Sequence, residues 1–197
     1  SAVAAAIRGA EVVRRRSGER ETLAIEEKSP ADFVSEVDRD AESAIAAVVR
    51  ERHPDALLVG EELSPDALPQ GGLASVPLAF VVDPLDGTTN FLHGYPEYAV
   101  SIAAVRAGVP IAGAVLNIPT GELFTATAGA GARLGGAPIS VSATTSPGRA
   151  LVGTGFPFKH REQIPRYLSQ FERVLRATAG VRRGGSAALD LCDVACG

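Results

Sequence analysis

Carboxylates stand where two short apolar runs end. Phe80-Val81-Val82 runs into Asp83-Pro84-Leu85-Asp86-Gly87-Thr88-Thr89-Asn90-Phe91, and Leu57-Leu58-Val59 runs into Gly60-Glu61-Glu62. Short runs rich in Val and Leu read as buried strands, here with acids at their carboxyl ends. Pro84 fixes its own φ and keeps Asp83 out of the helical region, while Gly87 lets the chain turn so that successive N–H groups point inward. Acids and bare amides then face one small volume, which suits a divalent cation held by the acids and a phosphate held by the amides and the cation. If the two strands are neighbours in one sheet, three or four carboxylates converge. Unpaired, they would repel and partly protonate, and a bound cation is the natural means of keeping them ionised. Asp-Pro and Asp-Gly are also ordinary turn dipeptides, and Glu62, the weaker ligand of its pair, has surface solvation as its plain reading.

The elements that must position these residues follow from periodicity. Val3, Ile7, Ala10 and Val13 recur at helical spacing over residues 2–16, and Ser17-Gly18 stops the run. Residues 22–26 alternate and predict a strand, and Lys28-Ser29-Pro30-Ala31-Asp32 predicts a loop. A second helix is expected over 35–52, with Val37, Ala41, Ile45 and Val48 on the core side; Asp38 lies in its first turn, where capping alone favours an acid. Residues 64–77 read as loop, and 99–106, 111–117 and 122–127 as an antiparallel meander. The Gly-rich stretch 129–136 lacks the spacing of a dinucleotide fingerprint and reads as hairpin chemistry. Residues 139–142 close that region, and Ser146-Pro147-Gly148 divides a first domain, 1–147, from the start of a second, 148–197. In the second, strands are expected at 151–155 and 181–183 and a helix at 163–177. Gly184-Gly185-Ser186 then leads into a helix carrying Ala187, Ala188, Leu191 and Ala195, a capped helix start that also makes an anion pocket.

Composition excludes several classes. The chain has 197 residues, 46% of them hydrophobic and 21% charged, as in ordinary globular proteins. A net charge of -4 gives no basic footprint for nucleic acid, and Arg14-Arg15-Arg16 reads as a solvated cluster at a helix end. No apolar stretch approaches membrane-spanning length and no signal-peptide pattern opens the chain, so a cytoplasmic location is expected. Cys192 and Cys196 make no disulfide framework, and His53, His93 and His160 sit singly. Without Met, Ser1 is not an intact translation start.

Taken together, the motifs resemble the inositol monophosphatase family of magnesium-dependent, lithium-sensitive sugar phosphatases. The resemblance spans nearly the whole chain and is carried by Lys28-Ser29-Pro30-Ala31-Asp32 with Asp38, by Gly60-Glu61-Glu62, by the 83–91 segment, by Gly155-Phe156-Pro157-Phe158, and by Gly185-Ser186-Ala187-Ala188-Leu189-Asp190-Leu191. It implies an α/β fold, a layered α/β/α/β/α sandwich, in a homodimer. It implies two or three Mg²⁺ ions, the first held by Glu61, Asp83 and the Leu85 carbonyl, with Asp83 and Asp86 contributing to a second. Catalysis is expected from Glu61 and from Thr88 in a relay with Asp38, which orient and deprotonate a water for in-line attack on phosphorus. Asp86, the amides of Gly87 and Thr88, and the helix start at Gly185, Ser186 and Ala187 would hold the substrate, while Lys28 and Glu62 support the site from behind. The resemblance thus implies a phosphomonoesterase acting on a small polyol or sugar phosphate, inositol monophosphate first. Fructose bisphosphate, histidinol phosphate or a phosphoadenosine nucleotide are alternatives, and a catalytically dead metal- or partner-binding member is the rival of another class.

Two departures from the family pattern stand out. Phe80 replaces a common Trp, one large apolar filler for another. The family also has a metal-binding Asp in a Trp-Asp segment beyond the last helix, whereas this sequence contains no Trp. A chain lacking that segment and the late strands is expected to expose apolar surface.

Overall fold

The structure is a computed structural model that describes residues 1–23, 25–29, 32–62, 67–158 and 160–197, without the side chains at 21, 22, 25–29 and 32–35. Helix α1, Ala2–Arg16, forms from an Ala-rich run with strong helix propensity and buries Ala2, Ala5, Ala6, Ala10 and Val13. A 3-10 turn over Ser17–Thr22 follows, and β1, Ile25–Ser29, pairs antiparallel with β2, Asp32–Ser35. The strand expected at 22–26 therefore begins later, and Lys28, Ser29 and Asp32 lie in strands; Pro30 and Ala31 fall outside the described residues. Helix α2, Glu36–Arg52, lies against α1 and buries Val37, Ala41, Ile45, Ala46 and Val49.

Both helices cover one face of a seven-stranded sheet. Its strands, in sequence and spatial order, are β3 (Leu57–Gly60), β4 (Ala79–Asp86), β5 (Ala99–Arg106), β6 (Val109–Asn117), β7 (Leu123–Thr127), β8 (Gly131–Leu134) and β9 (Ala137–Ile139). β3 runs parallel to β4 and every later pair is antiparallel, so the meander expected after residue 99 is present and extends through the Gly-rich stretch. Phe80, Val82, Val100, Ile102, Ala114 and Leu116 turn inward toward α1 and α2 as one core. Phe80 is nearly inaccessible and meets the ring of His53, which also bonds the Ser1 hydroxyl at 2.7 Å. Arg14 and Arg16 are more than a solvated cluster. Arg14 donates to the carbonyl of Ile118, and Arg16 bonds Glu36 and Asp40, tying α1 to the sheet and to α2.

Alternation sends Ser101, Ala103, Gly113 and Val115 to the opposite face. There α5, Ala187–Cys196, lays Ala188, Leu191, Cys192 and Ala195 over a cavity of about 270 Å³. The other side of α5 meets a small parallel sheet of β10 (Leu151–Gly153) and β11 (Gly180–Arg182), where Asp190 lies against Gly153. Helix α4, Ile164–Ala177, joins these two strands and rests on the loop after β10: Thr154 and Tyr167 hydroxyls are 3.0 Å apart, and Phe156 meets Tyr167 edge-on. The order of layers is helix pair, sheet, helix, sheet, helix. Apolar surface remains open on the last layers, with Leu151 61%, Leu191 71% and Val194 64% exposed.

Candidate active site

The parallel pairing of β3 and β4, which ends at Gly60 opposite Val82, delivers Glu61 and Asp83 side by side. A bulge then gathers the second acid of β4. Asp83 pairs with Ser101 and Asp86 with Ala99, so three steps on β4 match two on β5. In an unbroken strand Asp83 and Asp86 would face opposite sides; the extra residue changes the parity and re-aims them together. Pro84, without an N–H to donate, sits where the ladder is interrupted. Asp83 Oδ1 accepts the Leu85 N–H at 3.1 Å, which closes the turn locally.

Crowding shows in the acidity. Burial first, then the charges of Glu61 and Asp86, and a hydrogen bond shared with Glu61 push the Asp83 carboxyl up to about 8, against the smaller opposing effect of the Leu85 N–H. A carboxyl made to hold its proton by burial and acidic neighbours is one that an adjacent cation would ionise. Among the described residues, no three His, Cys, Asp or Glu side chains form a ready-made metal cage. An all-oxygen set of a few carboxylates and a backbone carbonyl still fits Mg²⁺, which keeps several waters and takes further ligands from substrate phosphate.

Gly87 makes the turn into α3, Thr88–Leu92, a helix absent from the sequence expectations. Its φ is 98°, and a Cβ there would stand 2.8 Å from the Glu97 carbonyl oxygen. The amides of Gly87 and Thr88 lie at the start of α3, where helices leave N–H groups outside their own ladder. Phe91 anchors the helix from below: it is inaccessible, meets Tyr98 edge-on, and carries the Arg20 guanidinium 5.1 Å above its ring. Thr88 Oγ1 lies 2.8 Å from Asp38 Oδ1 and 3.0 Å from the Leu85 carbonyl oxygen. Asp38 is only 2% exposed, so the first-turn acid of α2 points into the interior toward Thr88.

The start of α5 closes the other side. Asp86 Oδ2 accepts from the Ser186 hydroxyl at 2.7 Å and from the Ala188 N–H at 2.6 Å. Ser186 is fully buried and also caps α5 by accepting the Leu189 N–H. Its hydroxyl is thus committed to joining β4 and α5, with Gly185 before it and Ala187 opening the helix. Asn90, to which sequence reasoning gave no role, donates to the carbonyls of Glu97, at 2.6 Å, and Gly184, at 3.0 Å. Glu42 was likewise missed, although its place four residues after Asp38 and three before Ile45 puts it on the inward face of α2. Its Oε2 accepts the Glu62 N–H at 2.7 Å. Lys28 lies in β1, and its side chain is outside the described residues.

A family model described as the inositol monophosphatase family matches residues 1–197. The chain is 40% identical to Nus factor SuhB of Pseudomonas aeruginosa over 198 residues, covering all of this chain and 72% of that protein. It is 42% identical to inositol-1-monophosphatase of Synechocystis over 174 residues, 88% of this chain and 59% of that one. The crystal structure of extragenic suppressor protein suhB from Bartonella henselae superposes with a TM-score of 0.88 at 38% identity, over 99% of this chain and 73% of that one.

Proposed function

The chain belongs to the inositol monophosphatase family, and from that premise we propose that it hydrolyses the phosphomonoester of a small polyol or sugar, inositol monophosphate first, with Mg²⁺. The observation that carries the proposal is the Asp38–Thr88 hydrogen bond beside the gathered carboxylates of Glu61, Asp83 and Asp86. Glu61, Asp83, Asp86 and the Leu85 carbonyl would hold Mg²⁺, in two or three ions. When bound, the metal supplies positive charge that offsets the phosphate and acidifies water.

The remaining work falls to side chains and amides. Thr88 directs its proton to Asp38, the closer of its two acceptors, which leaves a hydroxyl lone pair to orient a water. As the water oxygen bonds to phosphorus and the ester P–O bond breaks, the water's proton passes to Thr88 Oγ1 and the Thr88 proton to Asp38, with Glu61 as a further acceptor. The departing alkoxide takes a proton from solvent, so alcohol and inorganic phosphate are released. The Gly87 and Thr88 amides and, on either side of the buried Ser186, Gly185 and Ala187 at the start of α5 hold phosphate and sugar oxygens, while the Ser186 hydroxyl stays on Asp86. Glu62 supports the site from behind, its N–H held by Glu42. The reading includes lithium inhibition, a homodimer and a cytoplasmic enzyme; among the described residues no helix is long and apolar enough to cross a membrane.

A phosphate-release assay on the full-length protein tests this across inositol monophosphate, fructose bisphosphate, histidinol phosphate and a phosphoadenosine nucleotide, with and without Mg²⁺. Mg²⁺-dependent turnover lost in Asp83→Asn is the expected result. The Pseudomonas aeruginosa relative carries the name of a Nus factor. Metal binding without turnover of any ester would replace the enzyme reading with that of a partner-binding family member.

A further inference from the structure

Helix α2 brings a second carboxylate to this end of the sheet that the reaction does not use. Glu42 lies one turn beyond Asp38 and has no solvent exposure. Burying such a group is costly unless hydrogen bonds replace its water, so its contacts carry weight. Two of them flank Glu61. Oε2 accepts the Glu62 N–H at 2.7 Å, and Oε1 occupies the space against Gly60 that any Cβ there would need. Gly60 is therefore a matter of room for a carboxylate, since its φ is not in the left-handed region. The ladder with β4 ends at Gly60, and the grip of Glu42 begins there.

We propose that Glu42 is a positioning residue that holds the 60–62 backbone so that Glu61 faces Asp83. This rests on the phosphatase reading and deepens it. One rigid helix then carries both Asp38, which takes the Thr88 proton, and the group that sets the Glu61 ligand, fixing the spacing of proton acceptor and cation site through α2.

The test uses the full-length protein and four variants: Glu42→Ala, Glu42→Gln, Gly60→Ala, and Gly60→Ala with Glu42→Ala. Mn²⁺ binding is read by calorimetry, Mg²⁺ half-saturation and kcat by phosphate release, and folding by circular dichroism. Glu42→Ala is expected to weaken metal affinity about 10–100-fold, the scale for groups that orient ligands, with a smaller loss of kcat at saturating Mg²⁺. Glu42→Gln, which keeps an acceptor for the Glu62 N–H, recovers affinity to within ~3-fold. Gly60→Ala resembles Glu42→Ala, and the double variant is no worse than Glu42→Ala because the overlap is gone. Wild-type metal affinity in Glu42→Ala, or additive losses in the double variant, would overturn the positioning role and leave the phosphatase reading standing. Should Glu42→Ala not fold, Gly60→Ala and Glu42→Gln decide, since a folded Gly60→Ala with unchanged affinity also overturns it. A wild-type protein that neither binds Mn²⁺ nor releases phosphate overturns both.

Discussion

Replacing Asp83 by Asn is expected to stabilise the metal-free protein at alkaline pH, the reverse of what removing a hydrogen-bonded acid from a turn usually does. In the folded state the Asp83 carboxyl is pushed up to about 8 by burial, Glu61 and Asp86, against roughly 3.9 in an unfolded chain. Between those values the folded state holds a proton that the unfolded state has released, so stability falls as pH rises through the window. The three pH units from 5 to 8 cover most of that window and are worth about 4 kcal/mol at ~1.36 kcal/mol per unit, and partial solvent screening reduces this to roughly 2–4 kcal/mol. For a chain of this size that is a fall in Tm of roughly 5–15 °C. Asn is neutral at every pH and lacks this loss. Thermal unfolding of full-length wild type and Asp83→Asn, followed in EDTA from pH 5 to 9, should give curves that meet at the acid end and diverge with the variant above. Adding Mg²⁺ at pH 8 should lift wild type alone, and near pH 7 its binding should release about one proton, readable by calorimetry in buffers of different ionisation enthalpy. Parallel Tm curves, or a wild type that gains on the variant toward pH 8, would refute the reasoning.

Thr88→Val removes the hydroxyl that donates to Asp38 while keeping the branched shape, so under the proposed relay kcat should fall about 10²–10⁴-fold with Mg²⁺ affinity and fold retained; unchanged kcat in the phosphate assay would remove Thr88 from the relay. Ser186→Ala deletes both the cap of α5 and a donor to Asp86, and should cost about 1–3 kcal/mol in urea unfolding. A loss under a few tenths would show that the junction is held otherwise. Gly87→Ala forces a side chain onto a φ of 98° and against the Glu97 carbonyl; a destabilisation of about 1–3 kcal/mol in the same experiment is expected, and a neutral result would mean that the turn relaxes freely.

Local pattern carried the strand ends, and tertiary contact decided the rest. The runs 57–59 and 80–82 announced buried strands, and their parallel pairing placed Glu61 beside Asp83. The bulge that brings Asp86 round left one trace, Pro84 in the ladder. Helix α3 was invisible because five residues are too few to show a period. Asn90 and Glu42 were read past for another reason: their partners, Gly184 and Glu62, lie 94 and 20 residues away, and no local window contains both. Glu42 could have been noticed as a charged residue inside the apolar stripe of Val37, Ala41 and Ile45. Asp38 illustrates the converse, since a first-turn acid suits helix ends everywhere and only its burial against Thr88 separates it from a cap.

The junction between Asp86 and α5 narrows which cations this end of the sheet suits. One oxygen of that carboxylate already takes two short hydrogen bonds, from Ser186 and Ala188, so the group has a single oxygen left to turn toward a metal. A large ion such as Ca²⁺, which draws stability from chelating both oxygens and from a loose, many-membered shell, is poorly served by a one-toothed ligand. A small octahedral ion loses nothing by it, and discrimination between the two would then originate in the packing of a helix rather than in the identity of the ligands.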